Sequence, residues 1–106
     1  MSCALTDIFK VLSDEKRLKI VKALANESVC ANQLLEGLDI SQPNLSHHMK
    51  ILTDIGLVRA KKMRTQVYYE LNREQIKCLC CFVREISGTE KTCIHHQNVQ
   101  TNEETE

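Results

Sequence analysis

Six cysteines in 106 residues are the side chains best able to do chemistry here, and four of them, Cys78, Cys80, Cys81 and Cys93, fall in the last third of the chain. In a secreted protein such a set would suggest disulfides. Without a charged and then apolar leader at the N-terminus, a reducing cytosol makes thiol chemistry or metal binding the expectation. On a helix turning about 100° per residue, Cys78 and Cys81 share a face with Glu85 and Cys80 lies nearer the edge of an apolar stripe. Cys81 points almost directly away from that stripe. Brought back by a bend at Gly88, Cys93 would complete a set of three sulfurs. Three thiolates suit As(III) or Sb(III), and Cd(II) or Pb(II) would accept the same donors with a fourth ligand, which His95 or His96 could supply. The plain alternative is that each thiol is a small buried hydrophobe, a reading that weighs most for Cys80, Cys3 and Cys30. Neighbouring thiols are, however, an oxidation hazard that simple packing avoids, so a redox switch through Cys80, Cys81 or a neighbour is a second chemical reading. Strictly adjacent cysteines would form a strained disulfide, which favours partners further apart.

The elements that must position these groups are mostly helical. Leu5, Ile8, Phe9 and Leu12 recur at helical spacing, and Ser13, followed by Asp14 and Glu15, offers an N-cap to a second helix carrying Leu18, Ile20, Val21 and Leu24 to about Ala25. From Ala31 a short helix carries Leu34, Leu35 and Leu38, with Gly37 near its end as the cheap left-handed residue. Ser41 caps the next helix, Pro43 is tolerated in its first turn, and Leu45, Met49, Ile51 and Leu52 form its apolar face up to Gly56. Leu57 to Lys61, a polar turn from Lys62 to Thr65, and the alternating Gln66 to Leu71 predict a β-hairpin with a basic tip. A last helix over residues 73 to 87 is predicted by Ile76, Leu79, Val83 and Ile86. The expected organisation is one domain over residues 1–90 and a polar, disordered tail over residues 91–106.

With two Phe, two Tyr and no Trp, the core must be aliphatic, and a chain this small gains by pairing with a copy of itself. The expected fold is therefore mainly α with a two-stranded hairpin wing, assembled as a homodimer. No apolar run is long enough to span a bilayer, so a cytoplasmic protein is expected. A Gly-rich phosphate loop and a carboxylate pair are both missing, which argues against an enzyme.

Formal net charge is zero, yet between Gln42 and Tyr68 the positives Lys50, Arg59, Lys61, Lys62 and Arg64 face a single Asp54, while Glu103, Glu104 and Glu106 close the chain. A local basic patch is what meets phosphate. Short helix, turn, capped helix and basic hairpin is the winged helix-turn-helix order, with the helix over residues 42 to 54 in the major groove. Ser41, Gln42, Asn44, Ser46, His47 and Lys50 are its candidates for base and phosphate contact, and Arg59, Lys61, Lys62 and Arg64 on the wing would neutralise phosphates. Adjacent His47 and His48 diverge around the helix and cannot both face one metal, so DNA contact and packing suit them better.

Three stretches carry a resemblance. They are Leu12-Ser13-Asp14-Glu15-Lys16-Arg17-Leu18; Ile40-Ser41-Gln42-Pro43-Asn44-Leu45-Ser46-His47-His48-Met49-Lys50-Ile51-Leu52; and Gly56-Leu57-Val58-Arg59 together with Val67-Tyr68-Tyr69. With them the chain resembles the ArsR/SmtB family of metal-responsive repressors over about residues 5 to 88. The resemblance implies a homodimer joined through its first and last helices, bound to double-stranded operator DNA and released by an inducer. Family arsenic and cadmium sensors often carry Leu-Cys-Val-Cys-Asp-Leu, where this chain has Val29-Cys30-Ala31-Asn32-Gln33-Leu34, so a site at Cys30 would need help from Cys3. The family's Zn(II) site would fall at Arg73 and Gln75, which do not suit it, and its persulfide sensors need a second-helix cysteine that residues 17 to 25 lack. The inducer expected from the thiols is therefore arsenite or antimonite. Cadmium, lead, zinc and reactive sulfur are the alternatives.

Overall fold

Asp14 starts the second helix because its backbone is extended and its carboxylate accepts the Arg17 amide. In the computed structural model, which describes residues 5–88, this helix α2 spans Glu15–Ala23 and follows α1, Leu5–Leu12. Ser13, expected as the cap, instead closes α1 by donating its hydroxyl to the Lys10 carbonyl at 2.6 Å. The end of α2 comes two residues before the expected Ala25. The Leu24 amide is shared between the Ile20 and Val21 carbonyls and the Ala25 amide bonds Lys22, so the last turn tightens and stops.

Val29–Cys30 forms a short strand, β1, which runs directly into α3, Ala31–Leu38. The left-handed residue that ends α3 is Asp39, at φ 53 and ψ 53, not Gly37, which lies inside the helix. A short polar side chain tolerates this conformation better than most. Helix α4, Gln42–Asp54, has the expected bounds. Gly56, at φ 83, ends it: its amide bonds the Thr53 carbonyl while the Leu57 amide reaches Leu52. This is the Schellman arrangement, and Leu52 and Leu57, both fully buried, supply its usual apolar contact.

Strands β2, Val58–Met63, and β3, Gln66–Leu71, pair antiparallel from Val58 opposite Leu71 to Met63 opposite Gln66. The hairpin turn is thus only Arg64 and Thr65, shorter than the expected span from Lys62, and Arg64 takes a left-handed φ of 63. The wing also gains a strand that the sequence did not reveal, because β1 pairs with β3 on its other side, Val29 with Tyr69 and Cys30 with Tyr68.

The core is aliphatic, as composition requires. Ile8, Ile20, Leu24, Leu34, Leu52, Leu57 and Val58 have essentially no exposed surface. The described residues fall into two compact units, the first ending at Asn72 and the second beginning at Arg73. The second is the helix α5, Arg73–Ser87, with the bounds that its apolar stripe predicts.

Candidate nucleic-acid interface and thiol helix

Ser41 sets the orientation of α4 from its first turn. Its hydroxyl accepts the Asn44 amide at 3.3 Å, and Pro43 costs no bond in a turn whose amides have no helical partner. Leu45, Met49 and Leu52 are buried on one side of the helix. Helical periodicity places His47 and Lys50 on the opposite side, and Gln42, Asn44, Ser46, His47 and Lys50 are all exposed. The N-terminal half of α4 therefore presents hydrogen-bonding groups beside the positive end of a helix dipole. Lys50 lies 3.3 Å from Asp54, but both groups are well exposed, and such a pair is weak enough to yield to a phosphate.

His48 is turned the other way and is mostly buried. Its Nδ1 lies 3.1 Å from Arg17 Nη1 and 3.9 Å from Asp14 Oδ2. An arginine can only donate, so Nδ1 is the acceptor and the ring proton sits on Nε2. Arg17 also donates through Nε to the Val11 carbonyl at 2.7 Å, which ties the end of α1, the start of α2 and the middle of α4 to one guanidinium. Burial, followed by Arg17, His47 and Lys16, holds the His48 pKa below its ordinary value against the opposing pull of Asp14. The Arg17 amide bond holds the Asp14 carboxyl below its own ordinary value.

On the wing, Arg59, Lys61, Lys62 and Arg64 are all exposed, and strand alternation sends Arg59 and Lys61 to one side and Lys62 to the other. Glu70, which sequence reading passed over, lies opposite Arg59 and 3.9 Å from both Arg59 and Lys61. It tempers half of the basic wing. Asn72 was also missed. Its Oδ1 accepts from Arg59 at 3.3 Å, and its own amide group donates to the Gly56 carbonyl at 2.9 Å. Both roles depend on register and on a long-range contact, neither of which leaves a local mark in the sequence.

Of the thiols, Cys78, Cys80 and Cys81 all lie on α5, with Cys80 exposed and the other two half-buried. Cys30 is buried in the other unit, opposite Tyr68 and at the N-cap of α3, where its amide donates to Gln33 Oε1 at 3.2 Å. Among the described residues no three or more His, Cys, Asp or Glu side chains are grouped so as to hold a metal ion. Cys3, Cys93, His95 and His96 lie outside the described residues. Among those described, no helix is long and apolar enough to cross a membrane.

Helix order, cap and hairpin together define a winged helix-turn-helix DNA-binding protein. Residues 14–60 match the family described as bacterial regulatory protein, arsR family. The arsenical resistance operon repressor of Staphylococcus aureus is 38% identical over 90 residues, covering 85% of this chain and 86% of that protein. The cadmium resistance regulatory protein CadC homolog of the same organism is 31% identical over 93 residues, covering 87% of this chain and 69% of that protein. Among solved structures, the transcriptional regulator HlyU of Vibrio vulnificus superposes with a TM-score of 0.65 at 31% identity, over 76% of this chain and 84% of that one. The chain belongs to the ArsR family of transcriptional regulators.

Proposed function

We propose that this chain is a repressor that binds operator DNA as a homodimer and leaves it when a thiophilic inducer, arsenite or antimonite, reaches its cysteines. The observation that carries the DNA part is the two-sidedness of α4: Leu45, Met49 and Leu52 anchor one side while Gln42, Asn44, Ser46, His47 and Lys50 stand exposed beside the capped N-terminus. These side chains read base edges in the major groove. Lys61, Lys62, Arg64 and Arg59 of the wing supply phosphate contacts, which bring affinity and salt dependence rather than sequence choice. Apolar side chains left exposed on two helices, Phe9 of α1 and Val83 and Ile86 of α5, support pairing with a second copy through those helices.

For the inducer, Cys78 and Cys81 stand one helical turn apart on α5, a spacing that suits two sulfurs on one ion. A third sulfur is required, and Cys93 is our candidate, with Cys80 next. The arsenical resistance repressors among the relatives favour arsenic, and the cadmium resistance regulators keep cadmium as the second metal. Gathering thiols at the dimer helix would change the angle between the two recognition helices, so inducer and operator weaken each other by the same coupling free energy. The exposure of Cys80 favours one further reading, an oxidant or reactive-sulfur sensor.

Fluorescence anisotropy of a labelled operator duplex tests both parts. Arsenite or antimonite added to the complex under reducing conditions should release the protein while zinc does not. Release by an oxidant or persulfide donor alone would replace the metal reading with a redox one.

A further inference from the structure

We propose that His48 is a positioning residue for the recognition helix, holding α4 to the corner between α1 and α2 only while its ring is neutral, so that mild acid weakens operator binding. The inference rests on α4 being the DNA-reading helix and adds a regulator to it. Three observations carry it. His48 sits between Leu45, Met49 and Leu52, all buried, and the exposed His47, so whatever moves its ring moves the helix that bears the base-reading side chains. Its partner Arg17 is itself fixed by the 2.7 Å bond to the Val11 carbonyl, which makes the 3.1 Å contact with Nδ1 a strut from a rigid corner. Finally, the strut works in one protonation state alone. With a proton on Nδ1 the ring loses its acceptor and places a cation 3.1 Å from a guanidinium.

The charged groups that face the ring are Asp14, Lys16 and Arg17 from α2 and its cap, and His47 from α4 itself. Three are cationic or can become so. Asp14, at 3.9 Å, could receive the new N–H, but its carboxylate already accepts the Arg17 amide that starts α2. A protonated His48 thus trades the Arg17 contact for one that competes with the cap of the neighbouring helix. Either way α4 keeps its apolar anchor but loses its polar tie to the corner between α1 and α2.

The test must separate His48 from His47, whose protonation on the DNA side would strengthen binding. In a His47→Gln background, operator affinity should fall between about pH 7.5 and pH 5.5, by no more than about tenfold, because a ring held below its ordinary value of 6.5 takes up its proton only toward the acid end of that range. Adding His48→Gln, which keeps an acceptor for Arg17 and cannot take a proton, should leave affinity flat across the same range. Parallel pH curves for the single and double variants, or a flat curve for the single one, would overturn the proposal. If the double variant does not fold, NMR titration of the free His47→Gln protein decides. Backbone amides of residues 14–17 and 44–50 should shift with the same midpoint as the His48 ring, and a ring that titrates while those amides stand still would sink it. Lys50→Ala at about pH 7.5 tests the recognition helix separately, because undiminished affinity there would remove that reading while leaving the NMR result interpretable.

Discussion

The side-chain amide of Asn72 donates to the carbonyl of Gly56 at 2.9 Å, so the residue that follows the wing is tied to the turn that ends the recognition helix. The Asn72 backbone amide adds a second tie, to the Leu57 carbonyl at 2.9 Å. Asn72→Ala leaves the partly buried Gly56 carbonyl without its side-chain donor, and should cost about 1–2 kcal/mol in urea unfolding. Loss of less than a few tenths would mean that the wing is held by its strands alone.

Ser41 serves both the helix and the proposed interface, and two substitutions separate the roles. Ser41→Ala should lower stability by about 1 kcal/mol through the lost cap. Ser41→Asp should keep stability, because a carboxylate caps well, while weakening operator binding by repelling phosphate. If both variants bound DNA like the parent, the N-terminus of α4 would not approach the duplex.

Glu70 holds back Arg59 and Lys61. Glu70→Gln should tighten operator binding and steepen its decline with salt, whereas Lys62→Ala should make the log–log salt slope shallower by about 0.9, the loss of one phosphate contact. Unchanged slopes in both variants would place the wing away from the DNA backbone.

Inducer response should map to α5. Replacing Cys78 and Cys81 by Ser should leave operator affinity intact and abolish release by arsenite, read by anisotropy. Undiminished release would move the sensing site to Cys30 and Cys3.

Asp14 makes part of the stability acid-sensitive. Its carboxyl pKa is held below the unfolded value of 3.8, chiefly by the Arg17 amide, so the charged form favours the fold. That contribution is complete above 3.8 and is lost as pH falls through the lower folded value. Thermal unfolding should show the parent more stable than Asp14→Asn near neutrality, with the gap closing below about pH 4. A gap that persisted in acid would mean that the charge plays no part.

Local chemistry was legible wherever it was self-contained. Ser41 and Gly56 mark the ends of α4 because a cap and a left-handed stop act within one turn, and the apolar stripe of α5 marks that helix to the residue. What escaped depends on distant partners. Val29 and Cys30 form too short a run to show alternation, and they are a strand only because Tyr68 and Tyr69 lie alongside. Glu70 gains its role from hairpin register, and Arg17 and His48 meet across 31 positions of chain. Gly37 was read as the left-handed stop that Asp39 supplies, and Ser13 as the cap that Asp14 supplies, because more than one nearby residue can take each of these backbone positions.

The left-handed backbone of Arg64, at φ 63, sets two demands on one position against each other. A side chain with a Cβ there costs the fold about 1 kcal/mol that glycine would not. Under the proposed function its charge, at the tip of the wing, serves only when a duplex is present. Heat selection on a mutant library would therefore enrich glycine or asparagine at position 64 and drift toward a sturdier protein with a weaker hold on its operator. Selection in cells for tight repression would drive the same codon back to a basic residue.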